Sequence, residues 1–194
     1  MTQIVKPLWW GDPAAAGILK SWHAGVTEPA SRAARAALRR IGPPEDACLV
    51  PEYGELVLRL REAGFPLSTS RAVRMTAEAV AVAEIDDDGP AFEVREEPRP
   101  SASVFAEPFA KAVGGAEIAP ARSRLLLSTD DPHLFLRLLR GTLSMLRAKR
   151  KPAPVVAVAE IVRRWRNIEQ RAIMRRHLAL ALAGHLAAEQ KEAP

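Results

Sequence analysis

Apolar residues recur at intervals of three and four positions along most of the chain, and this spacing predicts amphipathic α-helices. Residues 51–64 show the pattern, with an apolar side formed by Tyr53, Leu56, Val57 and Leu60. Residues 70–85, capped by Ser68 or Ser70, and residues 101–115, stopped by two glycines, predict two further helices. The chain is therefore expected to be built mainly from helices.

Residues that favour helix starts precede several of these repeats. Asp12 suits the N-cap of a first helix, with Pro13 at its first position. Either Thr129 or Asp131 suits the N-cap of a long later helix that begins at Pro132. These residues predict where two of the helices begin.

The last apolar repeat begins near residue 155. Its spaced apolar residues are Val158, Ile161, Val162, Trp165 and Ile168. They predict a buried stripe, and arginines occupy much of the remaining surface. The pattern does not decide whether this region is one helix or two.

The segment RAARAALRR, residues 32–40, predicts a helix with one cationic and one apolar face, because alanine, leucine and arginine all favour helix. At about 100° per residue the cationic face holds Arg32, Arg35 and Arg39. The apolar face holds Ala34, Leu38 and Ile41. The segment 42–44, Gly-Pro-Pro, ends the helix.

The composition agrees with an all-α fold. The chain has 194 residues, of which 48% are hydrophobic and 5% are aromatic, and alanine and leucine supply most of the apolar content. We expect a helical bundle with two small lobes, an N-terminal helical lobe over residues 1–85 and a C-terminal helical lobe over residues 101–194.

An acidic, proline-rich loop, residues 86–100, is predicted between the lobes, because the sequence DDDGPAFEVREEPRP lacks periodicity. Its three consecutive aspartates favour a solvated turn over a magnesium site, since no further carboxylates follow at helical spacing. Acidic residues would repel nucleic acid, so this loop is expected on the face turned away from it.

Charge is strongly segregated along the chain, although the net charge is only +5. Residues 121–178 carry fourteen Lys and Arg against four Asp and Glu, whereas residues 41–120 carry seven against fifteen. Such segregation indicates a basic face that binds a polyanion, and nucleic acid is the first candidate. Solvated arginines scattered over the surface are the alternative.

Several classes of protein lack support in the sequence. No glycine-rich phosphate loop, nucleophile elbow or metalloprotease motif is present, so neither catalysis nor a bound metal or other cofactor is expected. The single cysteine, Cys48, is expected to be a small core residue. Without a signal-like start or an apolar run of 18 residues, the protein is expected to be soluble and cytoplasmic.

Adjacent tryptophans at Trp9 and Trp10 precede the first helix. They are expected to anchor the N-terminus in the core, and stacking on nucleic-acid bases is the alternative.

The order of these segments resembles the CasB family, the small subunit of the type I-E CRISPR effector complex called Cascade. A tryptophan-bearing first helix is followed by RAALRR at 35–40, by PEYGELVLRL at 51–60 and by RSRLLLSTDD at 122–131. A leucine-rich helix and a helix that carries RRW at 163–165 complete the order. The resemblance covers roughly residues 9–180.

This resemblance implies a non-catalytic, two-lobe helical protein. Family members lie as a pair along the inner side of the assembly, between the large subunit and the backbone subunits. They help to hold the opened target DNA, the R-loop, against the guide RNA in antiviral defence. The implied partners are therefore crRNA, target DNA, the other Cascade subunits and a second copy of the chain, with no membrane.

Arginine and lysine side chains are the expected contacts to the nucleic-acid backbone, because neutralising phosphates requires no particular base sequence. The residues expected to bind are Arg32, Arg35, Arg39, Arg40, Arg140, Lys149, Arg150, Lys151, Arg163 and Arg164, with Arg122 and Arg124 as a second tier. For any single arginine, a structural salt bridge is an equal alternative.

Two other functions remain open from the sequence. The first is a stand-alone helical DNA-binding protein, although no compact helix–turn–helix pair is evident. The second is a helical adaptor whose arginines bind an acidic protein partner.

Overall fold

The fold is all-α, as the sequence predicts. The computed structural model describes residues 10–89, 101–114 and 118–192. Within these ranges the α-helices are α1 (Pro13–Thr27), α2 (Arg32–Arg40), α3 (Pro51–Glu62), α4 (Thr69–Val82), α5 (Ala102–Gly114), α6 (Pro120–Ser128), α7 (Pro132–Ala148), α8 (Val155–Trp165) and α9 (Ile168–Glu192). Short 3₁₀ helices at Pro29–Ser31 and Pro44–Leu49 flank α2.

The predicted N-caps are present. The Asp12 carboxylate accepts a hydrogen bond from the Ala14 amide at 2.9 Å, and Pro13 is the first residue of α1. The Asp131 carboxylate accepts one from the His133 amide at 2.8 Å, so Asp131 and not Thr129 starts α7. Each cap satisfies an amide that has no partner inside its own helix.

Gly64 closes α3, because its φ of 87° is a conformation that glycine adopts without steric cost. The Phe65 amide donates to the Leu60 carbonyl at 3.0 Å, and the Gly64 amide donates to the Arg61 carbonyl at 2.9 Å. This pair of bonds is a Schellman motif.

The region after residue 155 forms two helices, a choice that the apolar pattern left open. The Asn167 side chain accepts a hydrogen bond from the Gln170 amide at 3.0 Å and so starts α9. The new start changes the helical phase, so Ile168 is 71% exposed and not part of the buried stripe. Helix α6 was not predicted from the sequence.

Helix α8 is the centre of the core. Each of its residues except Arg163 is buried, and it contacts α1, α4, α5, α7 and α9. Trp165 stacks on Phe135 of α7, with ring centroids 3.8 Å apart. Buried residues from both predicted lobes share one hydrophobic cluster, and the division into lobes remains a prediction.

The start of the predicted acidic loop is tied to the fold, and residues 90–100 lie outside the described residues. The Asp88 carboxylate accepts a hydrogen bond from the Val155 amide at 3.0 Å and lies 3.5 Å from the Lys20 ammonium. The Gly89 amide donates to the Ala153 carbonyl at 2.9 Å. A Cβ at Gly89 would meet the Pro154 nitrogen at 3.1 Å, so this approach favours glycine.

Two expectations for single residues have different outcomes. Cys48 is exposed, so its prediction as a core residue is wrong; it lies in the 3₁₀ helix beside the exposed Leu49. Trp10 is fully buried, in agreement with an anchoring role, and Trp9 lies outside the described residues.

Candidate nucleic-acid interface

The four predicted arginines of the N-terminal region line one open cleft. It has a volume of about 550 Å³ and lies between α2, the residues that join α1 to α2, and Asp86. The arginines that line it are Arg32, Arg35, Arg39 and Arg40. Arg32 and Arg40 are exposed, whereas Arg35 and Arg39 are partly buried.

Arg35 and Arg39 tie α2 to the residues that follow α4. The Arg39 Nε donates to the Ala83 carbonyl at 2.8 Å, and an Arg35 Nη donates to the Ile85 carbonyl. Both guanidiniums also pair with the Asp86 carboxylate. These two arginines therefore satisfy carbonyls at the end of a helix in addition to their place in the cleft.

Asp86 places an acidic side chain inside the basic cleft. Burial opposes its ionised form, but the hydrogen bond from Arg39 and the charges of Arg35 and Arg39 outweigh that effect and lower its pKa. Its side chain is 46% exposed. The expectation that the acidic loop faces away from the basic surface is therefore wrong for Asp86.

Glu84, which follows α4, is the second acid that pairs with arginines in this region. Its side chain is buried. Its carboxylate accepts a hydrogen bond from the Arg140 Nε at 3.1 Å and one from an Arg147 Nη at 2.8 Å. Arg140 also donates to the Ile41 carbonyl at 2.8 Å and to the Arg39 carbonyl, at the C-terminal end of α2. A cation there complements the negative end of the helix dipole.

We call this group the α2–α7 cluster, and it consists of Arg35, Arg39, Glu84, Asp86, Arg140 and Arg147. Four guanidiniums face two carboxylates, so the cluster keeps positive charge while holding α2, α4 and α7 together. Arg147 was not among the predicted contacts. Its spacing of seven residues from Arg140, on the same face of one helix, was the available signal.

A second open cleft adjoins this cluster. It has a volume of about 490 Å³ and lies between the Gly42–Pro44 turn and α7, where Arg137 and Arg140 line it. Arg137 is exposed and has no acidic partner in the part of the chain that the structure describes. Arg137 was not among the predicted contacts.

The predicted residues Lys149, Arg150 and Lys151 form the exposed turn after α7. The Lys151 amide donates to the Leu146 carbonyl and the Arg150 amide to the Arg147 carbonyl, both at 2.9 Å, which closes the helix in a Schellman motif. Arg150 takes the position that glycine usually occupies, with a φ of 53°. An arginine in this conformation costs about 1 kcal/mol relative to glycine.

Replacing Arg150 by glycine is expected to raise the free energy of unfolding by about 1 kcal/mol, because glycine adopts a positive φ without strain. The same change is expected to weaken nucleic-acid binding severalfold, because it removes an exposed cation. Denaturant unfolding and fluorescence anisotropy measure the two effects. The control is Lys151→Gln, which should weaken binding without raising stability. A more stable Arg150→Gly variant with unchanged affinity would show that Arg150 makes no contact.

The predicted pair Arg163 and Arg164 binds a buried carboxylate. Glu160 accepts hydrogen bonds from Arg163 at 2.7 and 2.6 Å and from Arg164 at 2.7 Å. Burial lowers the pKa of Arg163, but the hydrogen bonds and charge of Glu160 outweigh it and raise the pKa above its ordinary value. Arg164 is buried and lies over the Phe105 ring, so it belongs to the core.

The second-tier residues Arg122 and Arg124 are exposed on α6. The Arg122 guanidinium lies beside Gly141 of α7, where an added Cβ would meet it at 3.3 Å. Asp130 follows α6 and pairs with Arg171 and Arg175 of α9. These ion pairs join the residues that follow α6 to α9.

No group of three or more His, Cys, Asp or Glu side chains that could hold a metal ion is found among the described residues. No helix in those ranges is long and apolar enough to span a membrane.

Comparison with known families gives one match. The family described as CRISPR-associated protein Cse2 matches residues 34–183, which is more than half of the chain. The matched range includes the whole α2–α7 cluster and the second cleft. It also includes the first cleft, apart from Arg32 and the lining residues that precede it. Comparisons with curated proteins and with solved structures gave no significant match.

Proposed function

The chain belongs to the Cse2 family, the CasB small subunit of the type I-E CRISPR complex Cascade, and from this premise we propose that it binds nucleic-acid backbone within that complex. Its role is to stabilise the R-loop that guide RNA and target DNA form. The observation that carries the proposal is the line of exposed cations around the α2–α7 cluster.

Exposed and paired arginines have different tasks in this proposal. Arg32, Arg40 and Arg137 are exposed in or beside the two clefts, and Arg150 and Lys151 are exposed after α7. These five side chains are the proposed phosphate contacts. The paired arginines of the α2–α7 cluster hold the surrounding helices in place, and their excess charge adds to the local positive potential.

Contacts to phosphate suit a subunit that must accept any target sequence. Such contacts position the strand but carry no sequence information, which comes from pairing with the guide. Exchange of a DNA duplex for an RNA–DNA heteroduplex is nearly balanced in free energy in another RNA-guided system. Five backbone contacts are therefore enough to shift the balance towards the open state.

The proposed partners follow from the family. They are crRNA and target DNA, the large subunit and backbone subunits of Cascade, and a second copy of the chain. The subunit acts without catalysis, as a structural component of a cytoplasmic complex.

The salt dependence of binding tests the proposal. Fluorescence anisotropy with a short single-stranded oligonucleotide should show affinity that falls steeply as salt rises. For five phosphate contacts, the logarithm of the binding constant should fall with a slope of about −3.5 against the logarithm of salt concentration. A slope near zero, or no binding at low salt, would contradict the proposal.

A further inference from the structure

A separate arginine-rich pocket lies at the other end of α4. Its volume is about 290 Å³, and it is enclosed by α4, the end of α8, the turn after α8 and the first described residue, Trp10. The lining side chains that matter here are Trp10, Arg71, Arg74, Glu78, Arg163 and Arg166. Four guanidiniums therefore line this pocket, and Glu78 is the one acid among its lining residues.

The guanidiniums differ in how firmly they are held. Arg163 is bound to Glu160, and Arg71 donates to the Pro66 carbonyl at 3.3 Å. Arg166 donates to the Arg74 carbonyl. The Arg74 side chain is exposed and has no acidic partner among the described residues. Arg74 is thus the cation best placed to bind an incoming anion.

Two buried polar atoms on the lining residues lack hydrogen-bond partners. They are the Glu78 Oε2 and the Trp10 Nε1, an acceptor and a donor. An Arg166 Nη lies 3.3 Å from Glu78 Oε2, which makes an ion pair without hydrogen-bond alignment. Burial raises the pKa of Glu78 to about 7, against the opposing charge of Arg166. Unpaired polar groups in a buried position are costly, and a ligand that pairs both would bind there.

The chemistry of the pocket fits one nucleotide. Phosphate pairs with guanidinium, and the planar guanidiniums offer faces for a base. Every nucleobase has a donor next to an acceptor on its Watson–Crick edge, which complements one free acceptor and one free donor. The pocket would therefore accept any base.

A series of neighbouring clefts leads from this pocket to the basic surface. The pocket shares Arg74 and Arg166 with a cleft of about 280 Å³. That cleft shares Pro44, His133 and Leu136 with the cleft that Arg137 and Arg140 line. A single strand held at the α2–α7 cluster has an open route to the pocket.

We propose that this pocket binds one unpaired nucleotide of the single strand held by the basic surface, with its phosphate on Arg74 and its base against Glu78 and Trp10. The inference rests on the proposed function, because the strand must first be held nearby. It adds recognition of a base, without base preference, to recognition of the backbone.

The test compares an oligonucleotide that carries bases with an abasic one of equal length and charge, measured at fixed salt with the full chain. The wild type is expected to bind the base-bearing strand about tenfold more tightly. Glu78→Leu should lose most of this preference and keep the salt slope. Its control is Glu62→Leu on exposed α3 surface, which should keep both. Repeating the comparison with DNA and with RNA strands shows whether the pocket accepts a deoxyribonucleotide, a ribonucleotide or both.

The outcomes separate this inference from the proposed function. Equal binding of both strands by the wild type would overturn the nucleotide pocket and leave the backbone contacts in place, whether or not Glu78→Leu folds. A base preference that persists in folded Glu78→Leu would also overturn it. Failure of both strands to bind at low salt would contradict the proposed function as well.

Discussion

Replacing Glu160 by alanine is expected to lower the free energy of unfolding by about 3–5 kcal/mol, because it removes the buried carboxylate that Arg164 and the half-buried Arg163 share. The Glu160 side chain is 0% exposed, and it accepts hydrogen bonds from Arg163, Arg164 and the Trp10 amide. Denaturant unfolding followed by circular dichroism measures the change.

The matched control for this prediction is Glu62→Ala. Glu62 lies on the exposed surface of α3 and has no ion pair within the described residues. Its replacement should change the free energy of unfolding by less than about 0.5 kcal/mol. A loss below about 1 kcal/mol for Glu160→Ala would show that the Arg163 and Arg164 charges do not depend on this carboxylate.

Reversing two exposed charges, Arg32→Glu together with Arg40→Glu, is expected to weaken binding of a single-stranded oligonucleotide by on the order of 100-fold at low salt. Both side chains line the first cleft and neither pairs with an acid in the described part of the chain. The salt slope should become shallower by about 1.4, the value for two lost phosphate contacts. Helical circular dichroism should be unchanged.

Two comparisons control for overall charge. Lys111→Glu with Arg176→Glu makes the same change in net charge on exposed parts of α5 and α9, outside the described clefts, and should weaken binding much less. Asp86→Asn should act in the opposite direction and strengthen binding, because it removes one of the two acids, Glu28 and Asp86, that line the first cleft. Equal losses in the two double reversals would contradict a localised interface.

Much of the fold could be predicted because its signals are local. Asp12, Asp131 and Gly64 each act within a few residues of themselves, so a sequence read in short windows identifies the helix ends that they form. Helix α6 was missed because PARSRLLLS, residues 120–128, has no clear apolar face; Leu126 is buried while Leu125 is exposed. Ile168 was misassigned because the break at Asn167 resets the helical phase.

The candidate site was predictable only in part, because its pairings are not local. The helical phase places Arg35 and Arg39 on one face of α2, but nothing in that segment shows that Asp86 lies opposite them. Segregation of charge along the sequence predicts its segregation in space. In the fold, acids of the middle segment, Glu84 and Asp86, lie against arginines of both basic segments.

The pattern of apolar residues also could not predict which of two adjacent arginines is buried. Arg163 and Arg164 are adjacent in the sequence and both were expected at the surface. Residue 164 points into the core, where Glu160 and the Phe105 ring surround its guanidinium, and residue 163 stays half-buried at the edge. An inward arginine became possible because a carboxylate one turn earlier in α8 neutralises it.

The most direct test of a guide-RNA complex is the RNA that copurifies with the tagged protein from its native cell under gentle salt. We expect short RNAs of uniform length with repeat-derived ends, together with the other subunits of Cascade. No RNA, or a random mixture of cellular RNA, would contradict membership of a guide-RNA complex and favour a stand-alone DNA-binding protein or an adaptor for an acidic partner.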